Sequence, residues 1–173
     1  ITASTGMDAF THCVEAYLAK GYHPICDGIA LEGIKLSSKY LITCVQDPKN
    51  LEARTQMMMA SMMGAIAFQK GLGLTHSCAH ALSTVADLHH GLANGLMIDF
   101  ALPFNIPAVP EKFAQISQAI GLKTATGEAF ISWLKIWKKE LGIPLNLREV
   151  KLNRDLLPKL AELAFKDSCH GNN

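Results

Sequence analysis

The fold is predicted first from residues 73–95, whose sequence is GLTHSCAHALSTVADLHHGLANG. This stretch holds four of the seven histidines of the chain: His76, His80, His89 and His90. His76 and His80 are four residues apart, so on an α-helix they lie on one face, one turn apart. Small and apolar residues surround these histidines, which predicts helices that pack closely and bury the rings. A buried imidazole needs a polar partner, so the stretch predicts either hydrogen-bonded packing or a metal site.

An earlier stretch, GMDAFTHCVEAY at residues 6–17, repeats this spacing with Asp8 and His12. A carboxylate and an imidazole on one helix face can bind the same ion. If the helices converge, these two residues join His76 and His90 in a set of three imidazole nitrogens and one carboxylate oxygen. Such a set suits Fe(II) or Zn(II) and does not suit Mg or Ca, which prefer oxygen ligands. Each pair alone has a simpler explanation, namely a surface ion pair or a packed histidine.

The hydrophobic pattern around these stretches is helical throughout, and no long strand is predicted. Helices are predicted at residues 5–20, 24–44, 51–69, 75–86, 90–104, 110–120, 127–141 and 155–165. Ser4 or Thr5 is expected to cap the first helix, and the segment Pro48-Lys49-Asn50 is expected to form a turn and a cap. We therefore predict an all-α multi-helix bundle that forms one domain over residues 1–173.

The predicted third helix carries a run of methionines and a line of small residues. We expect the methionines to fill gaps in the core, which is their commonest role. They are Met57, Met58, Met59, Met62 and Met63. Ala60, Gly64 and Ala67 are expected to form a seam that lets a neighbouring helix approach closely.

Composition excludes several classes of protein. The chain has 173 residues, of which 49% are hydrophobic and 18% charged, so it is predicted to be globular. A net charge of +1 without a basic block argues against nucleic acid or an anionic membrane as the main partner. No apolar run reaches the ~18 residues of a membrane span. Five cysteines without a CxxC pair favour a reduced, cytoplasmic location, and a first residue that is Ile1 suggests a piece of a longer protein.

Three segments together resemble the iron-containing (group III) alcohol dehydrogenase family. They are GMDAFTHCVEAYLAK, AFQKGLGLTHSCAHAL and HHGLANGLMIDFALPFN. The resemblance implies the C-terminal, metal-binding helical domain of the dehydroquinate synthase-like fold, with the N-terminal dinucleotide-binding domain absent from this chain. By the family motif, the metal ligands are Asp8, His12, His76 and His90.

The resemblance also implies roles for other residues and for partners. His80 occupies the position of an active-site histidine beside the substrate, and we expect it to relay a proton. His89 is expected to have a supporting or structural role, and Phe68 lies near a position that faces substrate. The implied reaction is NAD(P)-linked oxidation of a short-chain alcohol, or reduction of the aldehyde, with Fe2+ or alternatively Zn2+. We expect a homo-oligomer, an inactive isolated fragment, and a site in which Asp8 alone offsets the charge of the ion.

Other functions remain open at this point. A helical metal phosphohydrolase would also use His and Asp ligands, but its usual His-Asp dipeptide does not occur here. A non-catalytic helical interaction domain would explain the histidines by packing. A glycerol dehydrogenase-like polyol oxidoreductase of the same fold would use fewer metal-binding positions.

Overall fold

The computed structural model describes residues 1–173 and contains helices and connecting loops without a β-strand. The α-helices are α1 (Thr2–Leu18), α2 (Pro24–Gln46), α3 (Leu51–Ala67), α4 (Leu74–Ala86), α5 (His90–Ala101), α6 (Pro110–Ala119), α7 (Gly127–Glu140) and α8 (Leu157–Lys166). One short 3-10 turn follows α3, one follows α5 and one precedes α8. A fourth lies at His170–Asn172. The predicted all-α bundle is confirmed. None of its helices combines the length and the apolar character that a membrane span requires.

Helix α1 lies at the centre of the bundle. It packs against α2, α3 and α5, and residues on all sides of it are buried. Phe10 on α1 packs against Trp137 of α7, with 4.8 Å between the ring centroids. Because α1 is held from several directions, the polar side chains that it carries have fixed positions. Those polar residues include Asp8, His12 and Glu15.

The predicted helix caps are partly confirmed. Asn50 caps α3, since its side chain accepts a hydrogen bond from the backbone N–H of Ala53 at 3.0 Å. The expected cap of α1 by Ser4 or Thr5 is wrong, because that helix already begins at Thr2. The Thr5 hydroxyl instead donates to the carbonyl of Ile1 at 3.3 Å. A threonine inside a helix commonly bonds back to the preceding turn in this way.

The small-residue seam of α3 is confirmed. The prediction for its methionines is wrong for Met58, Met59 and Met62, which are exposed, whereas Met57 packs against the core. Ala60, Gly64 and Ala67 are buried, and a Cβ atom on Gly64 would lie 3.2 Å from the carbonyl oxygen of Ala9. The methionines lie mainly on the outer face. Met58 is 74% exposed and Met62 is 51% exposed. Only small side chains fit where α3 meets α1, so the larger ones are turned away from that contact.

A buried ion pair that the sequence did not reveal joins α5 to α7. The Lys138 ammonium donates to the Asp99 carboxylate and, at 3.4 Å, to the carbonyl of Leu96. Burial lowers the pKa of Lys138, and the pairing with Asp99 opposes that effect. Since a buried charge needs a partner, this pair orients α5, the helix that begins at His90.

Candidate metal centre

The structure brings Asp8, His12, His76 and His90 together. One ligand atom of each residue lies within 4.8 Å of the ligand atoms of the other three. Helix α1 carries Asp8 and His12, α4 carries His76, and α5 begins with His90. The approach of α5 to α1 depends on Gly91, because a Cβ atom there would lie 2.2 Å from the carbonyl oxygen of Ser4.

The ring nitrogens of this cluster surround the Asp8 carboxylate. The Nε2 atoms of His90 and His76 lie 3.4 Å and 3.7 Å from Oδ1 of Asp8. The rings of His12 and His76 stack with 4.6 Å between their centroids. Nε2 of His76 is buried and has no hydrogen-bond partner, whereas native proteins rarely leave such an atom unpaired. The cluster therefore offers nitrogen and oxygen lone pairs to one small volume.

Glu15 is the most important site residue that the sequence analysis missed. Its buried carboxylate accepts hydrogen bonds from the backbone N–H groups of Gly73 (2.8 Å), Thr75 (2.6 Å) and His76 (3.3 Å). These groups open α4, so a side chain of α1 caps the helix that carries His76. Nδ1 of His76 lies 2.7 Å from the same carboxylate. A proton on Nδ1 leaves Nε2 as the nitrogen that can bind a cation.

Glu15 also corrects the expected charge of the site. The sequence predicts that Asp8 alone offsets the charge of a cation. The structure places a second carboxylate, that of Glu15, in contact with His76. Two carboxylates would balance the charge of a divalent ion. A sequence signal was present, since Asp8, His12 and Glu15 follow the i, i+4, i+7 pattern of one helix face.

The protein's own groups set unequal pKa values for the imidazoles. Burial lowers the pKa of His12 to about 4, and the neighbouring His76 adds to this effect. Burial also acts against protonation of His76, but Asp8 and Glu15 outweigh it and raise the pKa of His76 to about 9. Asp8 raises the pKa of His76 by charge attraction, because the 3.7 Å between Nε2 of His76 and Oδ1 of Asp8 exceeds the length of a hydrogen bond. The two carboxylates therefore attract one positive charge to this volume. Without a metal that charge is a second proton, on Nε2 of His76, which a bound cation would displace.

Asn94 supports the cluster from α5 and was also missed. Its buried side-chain amide donates to Oδ1 of Asp8 at 2.7 Å and lies 3.1 Å from Nε2 of His90. Burial raises the pKa of Asp8, but the surrounding histidines outweigh burial and hold it below its usual range. Asp8 is thus held as a carboxylate, in a fixed orientation.

The remaining predicted residues lie around the cluster. The ring of His80 stacks on that of His90, with 5.3 Å between centroids, and its Nδ1 lies 2.8 Å from Oδ2 of Asp167. His89 caps α5 by accepting from the backbone N–H of Leu92 at 3.4 Å. The ring of Phe68 lies 5.4 Å from that of His12. His80 therefore lies beside the cluster, and His89 lies outside it.

Comparisons with known proteins agree on one family. The profile of the Fe-containing alcohol dehydrogenase family, C-terminal, matches residues 2–173. The chain is 37% identical to the NAD-dependent methanol dehydrogenase of Bacillus methanolicus, over all of this chain and 47% of that protein. It is 37% identical to the 1,3-propanediol dehydrogenase of Klebsiella pneumoniae, over 96% of this chain and 45% of that protein. The structure of an alcohol dehydrogenase from Oenococcus oeni matches with a TM-score of 0.95 and 33% identity, over all of this chain and 47% of that one. The chain thus spans about half the length of the curated relatives that it matches.

Proposed function

Because the chain belongs to the Fe-containing alcohol dehydrogenase family, we propose that it is the metal-binding half of an NAD(P)-dependent alcohol dehydrogenase. The substrate is a short-chain alcohol, or the aldehyde in the reverse direction. The dinucleotide is bound by an N-terminal domain that this chain does not include. The observation that carries the proposal is the convergence of Asp8, His12, His76 and His90. A homo-oligomeric assembly and a cytoplasmic location belong to the same proposal.

The residues of the cluster fit a divalent transition-metal ion. Three imidazole nitrogens and one carboxylate oxygen suit Fe2+, with Zn2+ as the alternative. The buried Nε2 of His76 lacks a protein partner, and a cation would provide one. The carboxylates of Asp8 and Glu15 supply the matching negative charge. Hydrogen bonds from His76 to Glu15 and from Asn94 to Asp8 hold two of the ligands in position.

The proposed chemistry divides between the ion and the side chains around it. When bound, the cation supplies Lewis acidity, which stabilises negative charge on a substrate oxygen. His80, whose side chain is 41% exposed, lies beside the cluster, where its ring stacks on that of His90, and accepts the proton of the substrate hydroxyl group. Phe68 provides an apolar surface next to His12. When bound in the two-domain enzyme, the dinucleotide would supply the acceptor for the hydride of the substrate carbon.

The isolated 173-residue chain is expected to have no dehydrogenase activity. No part of it has the strand, glycine-rich loop and helix that bind a dinucleotide. The measurement is NADH and NADPH oxidation by the Zn2+- or Fe2+-loaded chain in the presence of propanal. Turnover that disappears in the His90→Ala variant would contradict the proposed division of labour between two domains.

Replacing His80 with alanine is expected to separate catalysis from metal binding. In the two-domain enzyme, kcat should fall about 100-fold or more, since general acid–base catalysis contributes about 10²–10⁴-fold. The metal content should stay at the wild-type level, because His80 lies outside the cluster of four residues. Elemental analysis and steady-state kinetics measure the two effects. Loss of the metal from the His80→Ala variant would refute the proposed role.

A further inference from the structure

We propose that Asp167 is a positioning residue that fixes the orientation and the tautomer of His80. In this arrangement Nδ1 of His80 carries the ring proton, and Nε2 is the nitrogen that can accept one. The assignment of a proton transfer to His80 rests on the proposed function. The assignment of the tautomer rests on the hydrogen bonds around Asp167 alone.

The Asp167 carboxylate is held by three donors. Oδ2 lies 2.8 Å from Nδ1 of His80, while Oδ1 accepts from the Ser77 hydroxyl group at 2.8 Å and from the backbone N–H of Cys169 at 2.8 Å. Burial acts to raise the pKa of Asp167, but these hydrogen bonds outweigh it and hold the pKa well below its usual range. An ionised carboxylate only accepts hydrogen bonds, so the proton between the two residues lies on Nδ1 of His80.

The segment that delivers Asp167 is fixed to the helix that carries His80. Asp167 directly follows α8, and the next residues return to α4. The backbone N–H of His170 donates to the Ser77 hydroxyl group at 2.9 Å. The end of the same segment is also fixed to the residues after α1, since the backbone N–H of Lys20 donates to the carbonyl of Asn172 at 2.8 Å. Asp167 therefore meets His80 as part of a rigid turn.

Helix α4 then carries two imidazoles that are held in the same way. Nδ1 of His76 is bound by Glu15 from α1, and Nδ1 of His80 is bound by Asp167 from the turn after α8. In both residues Nε2 is the nitrogen left for chemistry. For His76 that nitrogen belongs to the metal cluster, and for His80 it is available for proton transfer.

A second metal site is a weaker explanation of the same residues. The ligand atoms of His80, Asp167 and Cys169 lie within 4.8 Å of one another. However, the carboxylate oxygens and Nδ1 already bond to each other or to neighbouring groups, in contrast to the unpaired Nε2 of His76. Burial and the adjacent Asp167 also raise the pKa of the Cys169 thiol to about 12, which keeps it protonated. The geometry thus favours orientation of His80 over capture of an ion.

The test is the tautomer of His80 in the Asp167→Asn variant. The amide oxygen of the new side chain should stay with the Ser77 and Cys169 donors, so that its NH2 group faces His80. It would then donate to Nδ1, and the ring proton would move to Nε2. The matched control is Glu162→Gln, which removes an exposed carboxylate of α8 that pairs with Lys166.

Nitrogen-15 NMR of the Zn2+-loaded chain near pH 9, above the ordinary imidazole pKa of about 6.5, reports the tautomer. We expect the Nδ1–H form of His80 in the wild type and in Glu162→Gln, and the Nε2–H form in Asp167→Asn. An Nδ1–H form in Asp167→Asn, or an Nε2–H form in the wild type, would overturn the proposal. If Asp167→Asn fails to fold, Ser77→Ala provides the second variant: it should leave the wild-type tautomer, and an inverted tautomer there would overturn the role of Asp167.

A kinetic readout separates this inference from the proposed function. In the two-domain enzyme, Asp167→Asn is expected to lower kcat about 100-fold with unchanged KM and metal content, since a protonated Nε2 cannot accept a proton. If Asp167→Asn has the Nε2–H form of His80 and an unchanged kcat, Asp167 positions the ring but His80 does not accept the substrate proton. If neither the wild type nor Asp167→Asn binds Zn2+, the proposed function fails. The His80 tautomers of the two metal-free proteins still show whether Asp167 positions the ring.

Discussion

Replacing His90 with alanine is expected to abolish tight binding of a divalent cation, whereas replacing the adjacent His89 is expected to preserve it. His90 brings Nε2 to within 3.4 Å of the Asp8 carboxylate, while His89 only caps α5. Loss of one of four ligands should weaken binding by more than about 100-fold, since residues that merely orient ligands already account for about 10- to 100-fold. Titration with Zn2+ against a competing chelator measures the change.

The two variants form a matched pair, because each removes one imidazole from neighbouring positions. The side chain of His90 is 36% exposed, so its removal leaves the core packing intact. His89→Ala costs a helix cap, which lowers stability by about 1 kcal/mol without touching the cluster. Equal Zn2+ affinity in the two variants would show that His90 is not a ligand.

Replacing Glu15 with glutamine is expected to weaken both the fold and cation binding. The glutamine has nearly the same shape, but its NH2 group cannot accept the hydrogen bonds that open α4 or the one from Nδ1 of His76. Each buried donor that loses its partner costs about 1–3 kcal/mol. The affinity for Zn2+ should fall about 10- to 100-fold, because His76 loses the group that orients it. Urea unfolding of the chelator-treated chain and Zn2+ titration measure the two effects.

Glu149→Gln is the control for the glutamine substitution at Glu15. The Glu149 carboxylate also accepts hydrogen bonds, from the Asn146 side chain at 2.7 Å and from the backbone N–H of Leu145 at 3.1 Å, but it is exposed. Water replaces those bonds when they are lost, so the urea midpoint should stay near the wild-type value. A Glu15→Gln chain as stable as this control would mean that Glu15 does not organise the start of α4.

The parts of the site that the sequence predicted are those with local spacing. The pair Asp8 and His12, and the pair His76 and His80, each lie one helical turn apart, and the hydrophobic pattern predicted the helices that carry them. The convergence of these helices followed from family resemblance, since spacing within one helix says nothing about which helices meet.

The parts that the sequence did not predict are contacts between distant segments. Glu15 bonds to His76 across 61 positions, and Asp167 bonds to His80 across 87. The residues next to each carboxylate do not predict which histidine it contacts, although Glu15 shares a helix face with Asp8. The error for the α3 methionines has a related cause, because hydrophobicity alone does not say which face meets a neighbouring helix.

The cluster of Asp8, His12, His76 and His90 is proposed to bind one divalent cation. Anomalous scattering from crystals of the chain grown with Zn2+, or anaerobically with Fe2+, tests it most directly. We expect one strong anomalous peak bounded by these four side chains. Crystals that contain the metal but show no peak there, or show it only beside His80, Asp167 and Cys169, would refute the proposed metal site.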